Sequence, residues 1–356
     1  MNFTEILDSP ATYDQLDPTR FRDRLAGLAD QCQRAWDQGL QLSLPKSYAA
    51  VDKVVVAGMG GSAIGGALLT DLLAPESAPP VFVCRDYSLP RHADERALVI
   101  VSSYSGNTEE SLSAFHQARM RGCKILCITS GGKLGEHAFA EGYPVFTVDY
   151  SGEPRTALGY ALLAPLAALQ RLKLVRDQQE QVEEAIAVLR SRINDLGEDV
   201  PTARNGAKSL ACMVHGKIVV IYGAGLLKSA AYRWKAQINE NAKGWAFAEE
   251  MPEANHSSVV GYPTPDPSGR IAIVMLASPF LHPRTLKRYQ ATGELLRQVG
   301  VPYSMTEGRG TFPLAHLLSS IVMGDYTSYY LGLLNGIDPS PTNAIDFLKA
   351  RLAQRQ

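Results

Sequence analysis

The sequence predicts an α/β protein built from two tandem, doubly wound parallel-sheet domains flanked by helices. Three observations carry that prediction. The chain has 356 residues, too many for one compact core of the commonest size. Its strand-like runs are near-continuous Val, Ile and Leu and alternate with helical segments, as strands covered on both faces by helices should. The order strand, glycine turn, helix occurs twice, as "VVVAGMGGSAIGG" and again as "IVVIYGAGLLKSA".

Residues 1–45 read as helices packing on the body, with Phe21, Leu25 and Leu28 on one face. The first domain is expected over residues 46–176. Its strands are "KVVVAG", "PVFVCRDY", "ALVIVSS", "KILCITS" and "PVFTVDY", and it closes with the helix "TALGYALLAPLAALQRLKLV". Residues 177–204 read as a linking helix, because Val182, Ile186, Leu189 and Ile193 recur at helical spacing. The second domain, 205–337, holds strands at "KIVVIYG", "RIAIVMLASP" and "VPYSMTE" and a long final helix, "PLAHLLSSIVMGDYTSYYLGLLNG". Residues 338–356 are a loop with two prolines and then a short helix. The two halves repeat element order, not letters.

Composition narrows the function classes. Hydrophobic residues make up 46%, charged residues 20%, and the net charge is -1; no polyanion-binding surface is announced, so nucleic acid is not an expected partner. The N-terminus has neither a basic flank nor an apolar core. The most apolar helical stretch, "YALLAPLAAL", is too short to span a membrane and holds Pro165. The five cysteines, Cys32, Cys84, Cys123, Cys127 and Cys212, are odd in number and read as reduced thiols of a cytosolic protein. No Cys or His set has the spacing of a zinc site. The expectation is a cytoplasmic protein with no metal, cofactor or membrane partner.

Two motifs carry chemistry. In "GMGGSAIGG", Gly58, Gly60 and Ala63 fit G-x-G-x-x-A, a weak dinucleotide signal; Asp86, 28 positions after Gly58, leaves that reading open. The glycines serve equally for anion binding or for close packing of helix on strand. The second motif, "VSSYSGNTEES", places Ser103, Ser105 and Thr108 between the C-terminal end of a strand and the start of a helix. Open α/β sheets bind ligands there, where free backbone N–H groups and the helix dipole attract anions. The plain alternative is N-capping by Ser105 or Thr108, but a cap needs one hydroxyl, and here three stand beside Ser62 of the glycine turn. The pattern points to a cradle for a phosphate monoester.

On these residues, "GMGGSAIGG" and "SSYSGNTEE", the chain resembles a sugar isomerase (SIS) domain. Two such domains, with "INENAK", "PEANH" and a terminal "PTNAIDFLK", resemble the bifunctional phosphoglucose/phosphomannose isomerase family from about residue 50 to the end. The resemblance implies an SIS-type fold and an aldose–ketose isomerase that uses no cofactor. It makes Gly61, Ser62, Ser103, Ser105 and Thr108 the phosphate site. It makes Glu240 the base that moves a proton between C1 and C2, a task suited to one carboxylate within reach of both carbons. It makes His256 the ring-opening group, contributed across the interface of a homodimer. Arg155 becomes the cation that stabilises the cis-enediolate, Lys349 a second participant in ring opening, and Thr342 the small residue that admits either epimer at C2. Two departures stand out: Ala67 where the family often has Asp, and Ser257 and Ser258 after His256 where it often has Asn and Glu. The rival readings are a non-catalytic SIS sensor of sugar phosphates, an isomerase of another sugar phosphate, and an NAD-dependent enzyme built on the glycine turn.

Overall fold

The structure, a computed structural model, describes residues 3–76, 78–262 and 269–352. Four helices lead: α1 (Phe3–Leu7), α2 (Pro10–Leu16), α3 (Phe21–Ala26) and α4 (Leu28–Leu40). Phe21, Leu25 and Leu28 are all buried, but on two helices, because Gly27, a poor helix former, stands between α3 and α4.

The first half follows as β1 (Lys53–Ala57), α5 (Gly60–Leu73), β2 (Val81–Cys84), β3 (Ala97–Ser102), α6 (Glu109–Met120), β4 (Lys124–Thr129), α7 (Gly132–Ala140), β5 (Val145–Thr147) and α8 (Leu158–Arg171). Its five strands are parallel, in the order β2-β1-β3-β4-β5. Side chains alternate between the two faces. Val54, Val56, Leu98, Ile100, Leu126 and Ile128 join the large core with α4, α5 and α8. Val55, Ala57, Val99, Val101, Ile125 and Cys127 pack on Phe115 of α6 and Leu134 of α7. Both faces are covered, hence the unbroken apolar runs.

The second half is α9 (Gln179–Leu196), α10 (Gly206–Val214), β6 (Ile218–Gly223), α11 (Lys228–Asn241), β7 (Ala246–Glu250), β8 (Ile271–Ala277), α12 (Pro283–Gln298), β9 (Tyr303–Glu307), α13 (Pro313–Leu334) and α14 (Asn343–Leu352). Its parallel sheet runs β7-β6-β8-β9, the same order around its first strand as in the first half. Strand β7, "AFAEE", is an element the sequence reading did not expect. It lies at the sheet edge, with Phe247 half exposed and Glu250 in solvent, so it has no need of a continuous apolar run. Helix α13 is buried from Leu314 to Leu334. Its start is held from α9: Glu184 Oε1 accepts from the Thr311 N–H (2.5 Å) and hydroxyl (2.7 Å), and Oε2 from the Phe312 N–H (2.9 Å). The linking helix α9 thus belongs to the core of the second half, with Val182, Ile186, Leu189 and Ile193 all buried.

Helices α5 and α11 join the halves. The Asp71 carboxylate, buried near the end of α5, accepts from the Ser229 N–H (2.8 Å) in the first turn of α11, where a negative charge meets the helix dipole. At their other ends the two helices line one cleft. Among the described residues no helix is long and apolar enough to cross a membrane.

Candidate active site

Strands β1 and β3 are neighbours, and their following helices start side by side. That is the switch point of a sheet ordered 2-1-3-4-5, where ligands bind. Neither α5 nor α6 has a side-chain cap. Thr108 stands at the N-cap position of α6, yet its hydroxyl accepts from Ser103 Oγ (3.1 Å) and caps nothing. Ser62 Oγ accepts from the Tyr104 N–H (3.2 Å), tying the glycine turn to the serine loop. Ser105 is exposed, and its Oγ accepts from the Asn107 N–H (3.3 Å). Gly106 completes the loop at φ +67°, a conformation that favours glycine, with the Gly131 carbonyl packed where a Cβ would stand. The hydroxyls therefore surround two open helix N-termini instead of closing them, which is the requirement for holding an anion.

Gly61 meets a second demand. A Cβ there would lie 2.6 Å from the Pro154 carbonyl oxygen and 3.0 Å from Arg155 Cα. Its absence lets the 3-10 turn Pro154–Thr156 seat against α5. Gln31 of α4 fixes that turn from behind: its amide donates to the Thr156 carbonyl (2.9 Å) and accepts from the Gly159 N–H (2.6 Å).

Arg155 is 5% exposed. Its Nε donates to Asn241 Oδ1 (2.8 Å), and its Nη2 to the carbonyls of Pro339 (2.8 Å) and Ser340 (2.9 Å). Nη1 is left facing Glu240 Oε2 at 3.7 Å. Burial pulls the Arg155 pKa down, and the Glu240 carboxylate opposes that shift. Asn241 is itself fixed by donating to Ser328 Oγ (2.9 Å) on α13. Beneath lies a buried ion pair, Arg233 Nη2 to Asp325 Oδ2 at 2.7 Å, with both Arg233 terminal nitrogens donating to the Arg155 carbonyl at 3.2 Å.

Glu240 sits in the last turn of α11, partly exposed. Just beyond it, Lys243 adopts φ +52° and donates to the carbonyls of Glu240 (2.7 Å), Asp338 (3.2 Å) and Pro339 (3.0 Å). Burial of its ammonium, and then the neighbouring Arg155, push the Lys243 pKa down to about 8. Lys243 and Arg155 between them clamp the loop at 338–340 over the end of α11.

An open cleft of about 730 Å³ is lined by Gly60, Gly61 and Ile64 of α5, by Arg155, and by one face of α11 that includes Gln237 and Glu240. An adjoining recess shares Gly61 and reaches Ser62. The structure thus gathers Gly61, Ser62, Arg155 and Glu240, with Ser103, Ser105 and Thr108 on the loop bonded to Ser62. It does not bring His256, Thr342 or Lys349 to the cleft wall within one chain. His256 is exposed in the 3-10 turn Glu253–His256 after β7, with Ser257 and Ser258 next to it in solvent or half-buried. Thr342 is half-buried just after the clamped loop, and Lys349 is exposed on α14, a helix without a buried residue. Ala67 is buried in α5; the buried carboxylate on that helix is Asp71, one turn later.

Lys243, Gln237 and the Arg233–Asp325 pair had no expected role, and Asn241 entered only within the motif "INENAK". The available signal was a polar stripe at positions 233, 237 and 241 of a helix whose other inward positions are Ala230, Trp234 and Ile238. Such spacing puts polar groups on one buried face.

Two parallel-sheet units, with a hydroxyl-rich loop at the switch point of the first and a carboxylate–guanidinium pair where they meet, have the architecture of a tandem SIS protein. The model of the bacterial phospho-glucose isomerase C-terminal SIS domain matches residues 203–352. The bifunctional phosphoglucose/phosphomannose isomerase of Caldicellulosiruptor bescii is 40% identical over 92% of this chain and 97% of its own. That of Aquifex aeolicus is 36% identical over 84% and 90%. A solved glucose-6-phosphate isomerase like protein from Thermus thermophilus shares the fold, with TM-score 0.65 at 18% identity over 97% of this chain and 98% of that one. The chain belongs to the bifunctional phosphoglucose/phosphomannose isomerase family.

Proposed function

We propose that this protein is an aldose–ketose isomerase that interconverts glucose 6-phosphate and mannose 6-phosphate with fructose 6-phosphate through a cis-enediol(ate). The observation that carries the reading is the shared cleft: the glycine turn of the phosphate cradle and the Glu240–Arg155 pair line the same wall. A sugar anchored by phosphate on Ser62, Ser103, Ser105 and Thr108, with the Gly61 backbone, extends its carbonyl end toward α11. Glu240 removes a proton from one of C1 and C2 and returns it to the other. Arg155, held on three sides with Nη1 free toward the cleft, offsets the charge that develops on the enediolate oxygens. Its donors need no reorganisation when that charge forms, because Asn241 and the 338–340 carbonyls already fix the plane of the guanidinium. The family resemblance makes Thr342, just beyond the clamped 338–340 loop and off this chain's cleft wall, the small side chain that leaves room for either configuration at C2.

Ring opening requires a proton donor and acceptor at the ring oxygen and the C1 hydroxyl. We assign it to His256 and Lys349, with His256 supplied by the second subunit of a homodimer. Two features support that assembly. Helix α14 exposes Ile345, Phe347, Leu348 and Leu352, and the edge strand β7 exposes Phe247 beside Trp245; apolar surface of this kind marks an interaction site. Light scattering reads the assembly directly. Mixing inactive Glu240→Gln and His256→Ala dimers under exchange conditions restores activity if sites are shared between subunits; no recovery despite exchange overturns the cross-subunit role. The isomerase reading is tested by a coupled assay with fructose 6-phosphate, in which no aldose product would leave the sensor reading standing.

A further inference from the structure

Helices α9, α10 and α13 and the edge strand β9 line an open pocket that shares no lining residue with the catalytic cleft. Arg192 of α9 lines it and is 9% exposed. Among the described residues no hydrogen bond or ion pair reaches its guanidinium, and its Nε is buried without a partner. The carboxylate one turn along α9, Asp195, is taken by Arg309 at 2.6 Å. Arg309 adds positive charge to the same region; burial first, and then Arg309, push Arg192 down to about 10. Glu307 lies on the wall but is solvent-exposed and makes no ion pair with Arg192.

A buried guanidinium without a counter-ion is costly, and the rest of the pocket fits one that arrives from outside. Ser304 and Thr306 alternate on β9 and so stand on one face of the strand. They add hydroxyl donors, while Met213 and Met323 give an apolar, adaptable wall. We propose that this pocket is a second binding site, separate from the catalytic cleft, for a small organic anion. Its carboxylate or phosphate group lies on Arg192, with hydroxyls from Ser304 and Thr306, and its carbon skeleton lies on the methionines. Guanidinium recognises both anion types in a two-pronged manner, so the two sources are separated by experiment.

The test uses the full-length protein with selenate as the phosphate-like probe and malonate as the carboxylate probe. Crystals soaked in millimolar selenate are expected to show an anomalous peak within hydrogen-bond reach of Arg192. That peak persists in a Ser105→Ala/Thr108→Ala variant and disappears in Arg192→Met. Whichever anion raises the melting temperature at the lower concentration names the group that the site takes. Melting is compared in the Ser105→Ala/Thr108→Ala background, so that the serine loop does not contribute: in anion-free buffer adding Arg192→Met lowers the melting temperature no further, because it removes an unpaired charge, but it abolishes the anion-dependent rise. Arg192→Lys, which keeps the charge and loses the fork, retains a weaker rise. Selenate in the serine cradle with none at Arg192, binding only at molar concentration, or an anion-dependent rise unchanged in both Arg192 variants would overturn the proposal.

Discussion

Replacing Asn241 by Leu isolates what holds Arg155 in line with Glu240. Leucine keeps roughly the shape of asparagine, so packing changes little. The substitution removes the acceptor of Arg155 Nε at 2.8 Å and the donor to Ser328 Oγ at 2.9 Å. A hydrogen bond to a charged group contributes about 1.5–3 kcal/mol. The two Nη2 bonds to Pro339 and Ser340 remain, so the guanidinium stays bound but is free to rotate about them. If that one bond is expressed fully in the transition state, kcat falls about 10- to 100-fold, at about 1.4 kcal/mol for each factor of ten. KM for fructose 6-phosphate should hold within about twofold, because the phosphate cradle is untouched. Steady-state kinetics in the coupled assay, on protein shown folded by circular dichroism, gives both parameters. Ser328→Ala is the control. It removes the other bond of the same amide, together with the Ser328 bond to the Asp325 carbonyl, and should lower the melting temperature while lowering kcat much less, because Asn241 still accepts from Arg155 Nε. An Asn241→Leu enzyme with wild-type kcat, or a Ser328→Ala enzyme equally impaired, would refute the reasoning.

Other outcomes follow from the same geometry. Ser105→Ala/Thr108→Ala should raise KM for sugar phosphates by about 10-fold or more, from two lost donors at about 1 kcal/mol each, with a smaller change in kcat; a kcat-only effect would argue against the cradle. Gly61→Ala should displace the turn carrying Arg155, since the new Cβ would stand 2.6 Å from the Pro154 oxygen, and activity should fall more than stability. Asp325→Asn should cost about 3–5 kcal/mol in chemical unfolding, because it leaves the Arg233 cation buried and uncompensated. Burial raises Asp71 to about 6, against the pull of the Ser229 N–H and Lys228. The folded protein therefore holds that proton more tightly than the unfolded chain does. Relative to Asp71→Asn, wild type should be more stable near pH 4 and lose about 3 kcal/mol as pH rises through 6; a difference flat with pH would show that Asp71 does not titrate there.

The fold was legible in the sequence wherever burial is two-sided. β1, β3, β4, β6 and β8 are unbroken apolar runs because helices cover both faces, and the glycine turns after β1 and β6 mark the start of each half. Strand β7 was not legible: an edge strand with one solvated side and acidic residues at its end carries no such run. The break at Gly27 was hidden because Phe21, Leu25 and Leu28 keep helical spacing across it. The proposed phosphate cradle was suggested by the sequence because Ser103, Ser105 and Thr108 lie within six residues and exceed what capping needs. The reacting end could not be read from physics alone. Arg155, Glu240 and the 338–340 loop are far apart in sequence and meet only because α5 and α11 pack across the two halves. Lys243 acts through backbone carbonyls that no side-chain pattern announces, and Asn241 through side chains about 86 residues away on either side.

Glu240 is assigned to move the proton between C1 and C2 of a sugar phosphate held on the serine loop. Isomerisation of fructose 6-phosphate in deuterium oxide, followed by NMR, tests it most directly. Wild type should place deuterium at C2 of both glucose 6-phosphate and mannose 6-phosphate. Glu240→Gln should slow both products by about 10²- to 10⁴-fold, the usual contribution of a positioned general base, while still binding 5-phosphoarabinonate, a six-carbon-enediolate mimic. Wild-type turnover in Glu240→Gln, with the mimic still bound, would show that another group moves the proton.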